Sequence, residues 1–115
     1  MLQAGLALVA GQAVAGDGLL RVQAAWNIAE VPSDFPVDFC LLTHRSRQYV
    51  AYYDVQRRLT VAARALESDD WQFSVLPETV GWDSHNSVTM AADDQGYIHL
   101  TGNMHAEPLV YFRTS

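Results

Sequence analysis

Leu59-Thr60-Val61-Ala62-Ala63-Arg64-Ala65-Leu66 admits two readings, and the choice between them decides the fold class. Its Ala, Arg and Leu content favours a helix. Its alternation favours a strand, with Leu59, Val61, Ala63 and Ala65 on one side and Thr60, Ala62 and Arg64 on the other. A polar connection, Asp54 to Arg58, precedes it, and a Glu67-Ser68-Asp69-Asp70 turn and an aromatic run follow. The strand reading fits both neighbours. Working outward, residues 48–53 are rich in Tyr and Val, His44-Arg45-Ser46-Arg47 turns, and residues 38–43 are apolar. Downstream, residues 71–76 read as a fourth strand ended by Pro77. These runs make a four-stranded antiparallel meander. Residues 25–29 also alternate and read as a short strand, stopped by Pro32 and Pro36.

The pattern then restarts. Residues 87–92 read as strand, Asp93-Asp94-Gln95-Gly96 as a tight hairpin turn, 97–101 as its return, and 109–113 as a third strand. The first strands of the two units start near Phe39 and Val88, a period of about 49 residues, which suits a propeller blade of about 40 to 50. The expected fold is all-β, with one blade over about 37–77 and an incomplete second over about 87–115. Propellers close with about four to eight blades, so about two blades make a fragment of one.

Composition narrows the partners. The chain of 115 residues is one small domain or part of a larger one, half apolar and 17% charged, which is globular. A net charge of −6 argues against nucleic acid and anionic membranes as partners, while the adjacent Arg57 and Arg58 leave room for a local basic patch. The lone Cys40 sits in an apolar run and reads as a small buried hydrophobe. Residues 1–23 are an apolar lead-in in which Ala13-Val14-Ala15 has the form of a signal-peptidase site, although no Lys or Arg precedes Arg21. A clipped secretion signal, hence a secreted or periplasmic protein, competes with an ordinary apolar start and a mis-assigned gene start. The run is too short and interrupted to span a bilayer.

Two loops concentrate the chemistry: Gly81-Trp82-Asp83-Ser84-His85-Asn86 and Gly102-Asn103-Met104-His105. In an up-and-down meander, alternate connections share one end of the sheet. His85, Asn86, Asn103, His105, Arg57 and Arg58 therefore fall on one rim, and His44, Arg45, Asp93 and Asp94 on the other. The first rim offers two imidazoles, two amides and two guanidiniums, a set suited to holding a carboxylate and removing the proton alpha to it. Each residue has a plainer role as well. His85 can cap Asp83 or Ser84, His105 can satisfy a loop carbonyl, and Arg57 and Arg58 can be a solvated turn. His99 reads as a strand residue on the less buried face, and His44 as a solvated turn residue. Trp71, Phe73, Tyr52 and Tyr53 read as packing between blades, with an exposed Tyr53 as a stacking surface for a sugar. His85 and His105 have no third ligand at a zinc spacing, so neither a metal nor a cofactor is expected.

Gln48-Tyr49-Val50-Ala51-Tyr52-Tyr53-Asp54, Gly81-Trp82-Asp83-Ser84-His85-Asn86-Ser87, Asp94-Gln95-Gly96-Tyr97-Ile98-His99-Leu100-Thr101-Gly102-Asn103-Met104-His105 and Pro108-Leu109-Val110-Tyr111-Phe112-Arg113 together resemble the BNR-repeat family of bacterial β-propeller proteins, which includes ulvan lyases and related polysaccharide lyases. The resemblance runs from about Val37 to the C-terminus. It implies a seven-bladed propeller with its substrate groove over the central channel, and β-elimination at a uronic acid of an acidic polysaccharide. Carried over by motif, His85 becomes the lead base or acid and His105 a second groove histidine. The tyrosine and arginine partners then belong to later blades. A non-catalytic carbohydrate-binding propeller, an inactive truncated fragment, and a sheet domain that self-associates through its open edges are the competing expectations.

Overall fold

A computed structural model describes residues 24–34, 37–81 and 85–115. The described residues form two antiparallel sheets and no helix. The first sheet is a meander of β1 (Cys40–His44), β2 (Arg47–Tyr53), β3 (Arg58–Ala65) and β4 (Gln72–Thr79), in that order. The second contains β5 (Thr89–Ala92), β6 (Ile98–Thr101) and β7 (Phe112–Arg113). The lead-in 1–23, Pro36 and the loop residues Trp82, Asp83 and Ser84 lie outside the described residues.

The ambiguous stretch is a central strand. β3 pairs with β2 on one side, with Val61 opposite Ala51, and with β4 on the other, with Ala62 opposite Phe73. Both of its faces are covered, which explains a composition that also suits a helix: small alanines let layers approach from either side. On one face Ala51, Tyr53 and Leu59 pack with Val80, Val88, Met90, Ile98 and Leu100, forming the core between the sheets. On the other, Val50, Tyr52 and Ala62 pack against Ile28 and Trp71.

The second packing explains residues 25–29, which form no strand. They run over the face of the first sheet instead of along its edge, so their alternation finds no ladder to join. Arg64 fastens this segment. Its guanidinium lies 4.2 Å from the Trp26 ring centroid and 5.2 Å from that of Trp71. Its Nε donates to Gln48 Oε1 and its Nη1 to the Ser68 carbonyl, each at 3.0 Å. Trp26 Nε1 in turn donates to Asp69 Oδ1 at 2.9 Å. A cation only 7% exposed is thereby hydrogen-bonded and stacked, as a buried charge must be.

Three boundaries differ from expectation. β4 does not end at Pro77 but continues to Thr79 through a bulge, where residues 76–78 oppose Leu59 alone. Proline is tolerated there because β4 is an edge strand and the bulge asks no ladder hydrogen bond of it. β7 is two residues long, because residues 109–111 stay out of the ladder and Leu109 is largely exposed. His44 closes β1 and is half-buried, not solvated. Phe73, expected to pack between blades, lies with Val75 on the far face of the first sheet, and both remain about half exposed.

Candidate functional site

The ends of β2, β4 and β6 and the starts of β3, β5 and β7 share one end of the molecule. The other end carries the turn at Arg45, which reaches the Asp94 carbonyl at 3.5 Å. At the first end the turn after β2 is shaped by Asp54, whose Oδ1 accepts from the backbone N–H groups of Gln56 and Arg58 at 2.9 Å. Its Oδ2 pairs with Arg58 Nε at 2.8 Å and Nη2 at 2.7 Å. Burial pushes the Asp54 carboxyl up, but the Arg58 side chain, the two N–H donors and the guanidinium charge together hold it below the ordinary carboxylate value. Arg58 is therefore engaged by Asp54. Arg57 takes the left-handed backbone position of the turn, with φ of 63°, and its carbonyl accepts from Val80 N–H at 2.9 Å. This bond ties the turn to the start of the connection that carries His85.

The loop after β6 is anchored on the first sheet. A Cβ on Gly102 would stand 3.0 Å from the Tyr53 hydroxyl and 3.2 Å from Leu59 Cδ2, so a larger residue would have to push these side chains aside. Asn103 follows at φ of 52°, its N–H donating to the Tyr53 hydroxyl at 2.6 Å and its Nδ2 to Glu78 Oε1. Tyr53 is thus buried, not the exposed sugar platform expected from sequence. Burial raises its phenol pKa, and Glu78 adds to the rise against the opposing Asn103 N–H bond, so the hydroxyl stays protonated at neutral pH. His105 N–H then donates to Asn86 Oδ1 at 3.0 Å.

These ties bring His85 and His105 together, with ring centroids 4.9 Å apart and planes inclined at 47°. Both histidines are exposed, while Asn86 and Asn103 are buried. Both rings stand at the surface, where a ligand can reach them. Among the amide atoms, Asn86 Oδ1 and Asn103 Nδ2 already have partners inside the protein.

Sequence reasoning missed Glu78, Asp54 and the hydroxyl of Tyr53 as parts of this rim. The available signal was Pro77 beside Glu78, a bulge marker next to a charge. It also understated His99. On the second sheet's outer face His99 Nε2 lies 3.1 Å from Asp93 Oδ2, and Nδ1 lies 2.7 Å from the Tyr111 hydroxyl. A carboxylate only accepts, so Nε2 carries a proton, while Nδ1 and the Tyr111 hydroxyl share the second hydrogen bond. Among the described residues, no group of three or more His, Cys, Asp or Glu could hold a metal ion, and no helix is long and apolar enough to cross a membrane.

Two packed antiparallel meanders with a histidine pair at one rim define the class of protein. The family model described as a BNR repeat-containing family member matches residues 47–115, from β2 onward and through both histidines. The chain belongs to the BNR repeat-containing family. No curated protein matches it.

Proposed function

We propose that the protein is a propeller-type carbohydrate-active protein that acts on an acidic polysaccharide, by β-elimination at a uronic acid. Family membership is compatible with the propeller-type, carbohydrate-active part of this reading. The observation that carries the rest is the His85 and His105 pair, delivered to one rim by loops of two different units. The chemistry requires a carboxylate held by donors so that the neighbouring C–H becomes acidic, and a base to take the proton. One imidazole donates to the uronate and the other takes the proton alpha to the carboxylate. The C4–C5 double bond forms as the C4–O glycosidic bond breaks, and the departing oxygen takes up a proton to leave as a hydroxyl. Arg57 adds positive charge from the adjoining turn, and the buried Asn86 and Asn103 hold the His105 loop in place. The complete assembly is a seven-bladed propeller whose later blades supply the phenol and further guanidinium, secreted or periplasmic, with no nucleic acid or membrane as partner.

Absorbance in the unsaturated-uronate band, followed on ulvan, pectin-type and glycosaminoglycan substrates, tests the reaction. A rise that falls at least about 100-fold in His85→Ala is expected. Full elimination activity in that variant would remove His85 from the mechanism. One observation favours a second reading, a non-catalytic carbohydrate binder: Arg58, Asn86 and Asn103 all have internal partners, which leaves fewer groups to act on a substrate. Retained sugar binding with no absorbance change on any substrate would select it.

A further inference from the structure

We infer that Glu78 is a positioning residue for His105, acting through Asn103. The inference rests on the proposed site but concerns a residue that neither the histidine motifs nor the strand pattern points to. Three observations lead to it. The bulge at residues 76–78 adds two residues to β4 opposite Leu59 and carries Glu78 beyond Leu76 on the inward-facing side, up to the rim. Bulges recur beside functional sites because they re-aim a side chain in this way. Glu78 accepts from Asn103 Nδ2, two residues before His105.

Asn103 itself holds a backbone conformation that most residues avoid, with φ of 52°. Three contacts from the first sheet keep it there: the Glu78 carboxylate on its side chain, the Tyr53 hydroxyl on its N–H, and Leu59 against Gly102. Beyond His105, Ala106 is again left-handed, with φ of 57°. His105 therefore sits between two sharp backbone turns, with its N–H on Asn86. Glu78 fixes the first of these turns. Without that hydrogen bond the Asn103 side chain loses its acceptor, the turn relaxes, and the His105 ring leaves His85.

The test uses the whole chain with labelled histidines. Ring-to-ring NMR cross-relaxation between His85 and His105 reports the pairing, and calorimetric titration with trigalacturonate reports binding. Glu78→Ala is expected to lose the ring contact and weaken trigalacturonate binding about 5- to 10-fold, as the loss of one charge-assisted hydrogen bond predicts. Glu78→Gln keeps an acceptor oxygen and is expected to retain both signals. Asn103→Gly, which tolerates the left-handed turn but removes the tie, should reproduce Glu78→Ala and carries the test if Glu78→Ala does not fold. Persistence of the ring contact in both Glu78→Ala and Asn103→Gly overturns the inference, as does its equal loss in Glu78→Gln. If the unmodified chain shows the ring contact yet binds no trigalacturonate, the uronate reading fails while the ring contact still judges Glu78.

Discussion

Asp54 shows how one residue links local structure to a measurable pH response. Its two oxygens serve four donors: the Gln56 and Arg58 backbone N–H groups and two nitrogens of the Arg58 guanidinium. Its folded pKa lies below the ordinary 3.8. A carboxyl depressed on folding stabilises the fold above its unfolded pKa, and that contribution is lost as pH falls through the folded value. Desolvation pushes the Asp93 carboxyl up, but the hydrogen bonds from His99, Tyr97 and Gly96 and the charge of His99 together bring it below the ordinary value, so it acts with the same sign. Urea unfolding should therefore show stability falling as pH drops below about 3.8. Asp54→Asn should lower stability at pH 7 by about 1 kcal/mol and make the acid decline shallower. An acid limb unchanged in the variant would show that this turn contributes nothing to the pH response. At this scale the sequence exposed His85, His105 and their glycines, because those types have few roles beside a turn. It hid their partners: Tyr53 and Glu78 lie 50 and 25 positions from Asn103, and alternation does not say which strand ends meet.

At the scale of elements, alternation found the strands of both sheets, and it failed where a segment packs without a ladder. Residues 25–29 have the strand pattern because one side faces the first sheet, but that contact is to a face. The element that holds them is β3, through Arg64. Arg64→Ala removes a stacked guanidinium and its hydrogen bonds to Gln48 and Ser68, and is expected to cost about 2–3 kcal/mol. Trp26, released from the stack, should emit at longer wavelength in the folded variant. Unchanged emission and melting temperature would mean that the segment is held by Ile28 and Trp71 alone. Pro77 carries the opposite lesson. A proline ends a strand that needs its N–H, but a bulged edge strand does not, and from sequence alone the two cases look the same.

Among the described residues, two kinds of surface lie open. β4 and β7 are terminal strands of their sheets, and between the sheets a groove of about 490 Å³ opens beside them, walled by Val61, Leu76, Met90, Leu100 and Phe112. The first sheet also shows Leu41, Phe73 and Val75 on its far face, where the register places Leu41, Val50, Ala62 and Phe73 in one row. Open edges and apolar rows promote self-association. Analytical ultracentrifugation of the purified chain should detect concentration-dependent species heavier than the monomer, reduced when Phe73→Lys and Val75→Lys are combined. A single monomeric species throughout would eliminate these surfaces as association sites.

The loop bearing His105 belongs to the second sheet, yet its shape is dictated by Tyr53, Leu59 and Glu78 of the first. The two sheets are therefore not interchangeable modules. A chimera that grafts the second sheet onto a foreign first sheet inherits the histidine without its mould, so recombination can carry this loop's shape only by moving both sheets together.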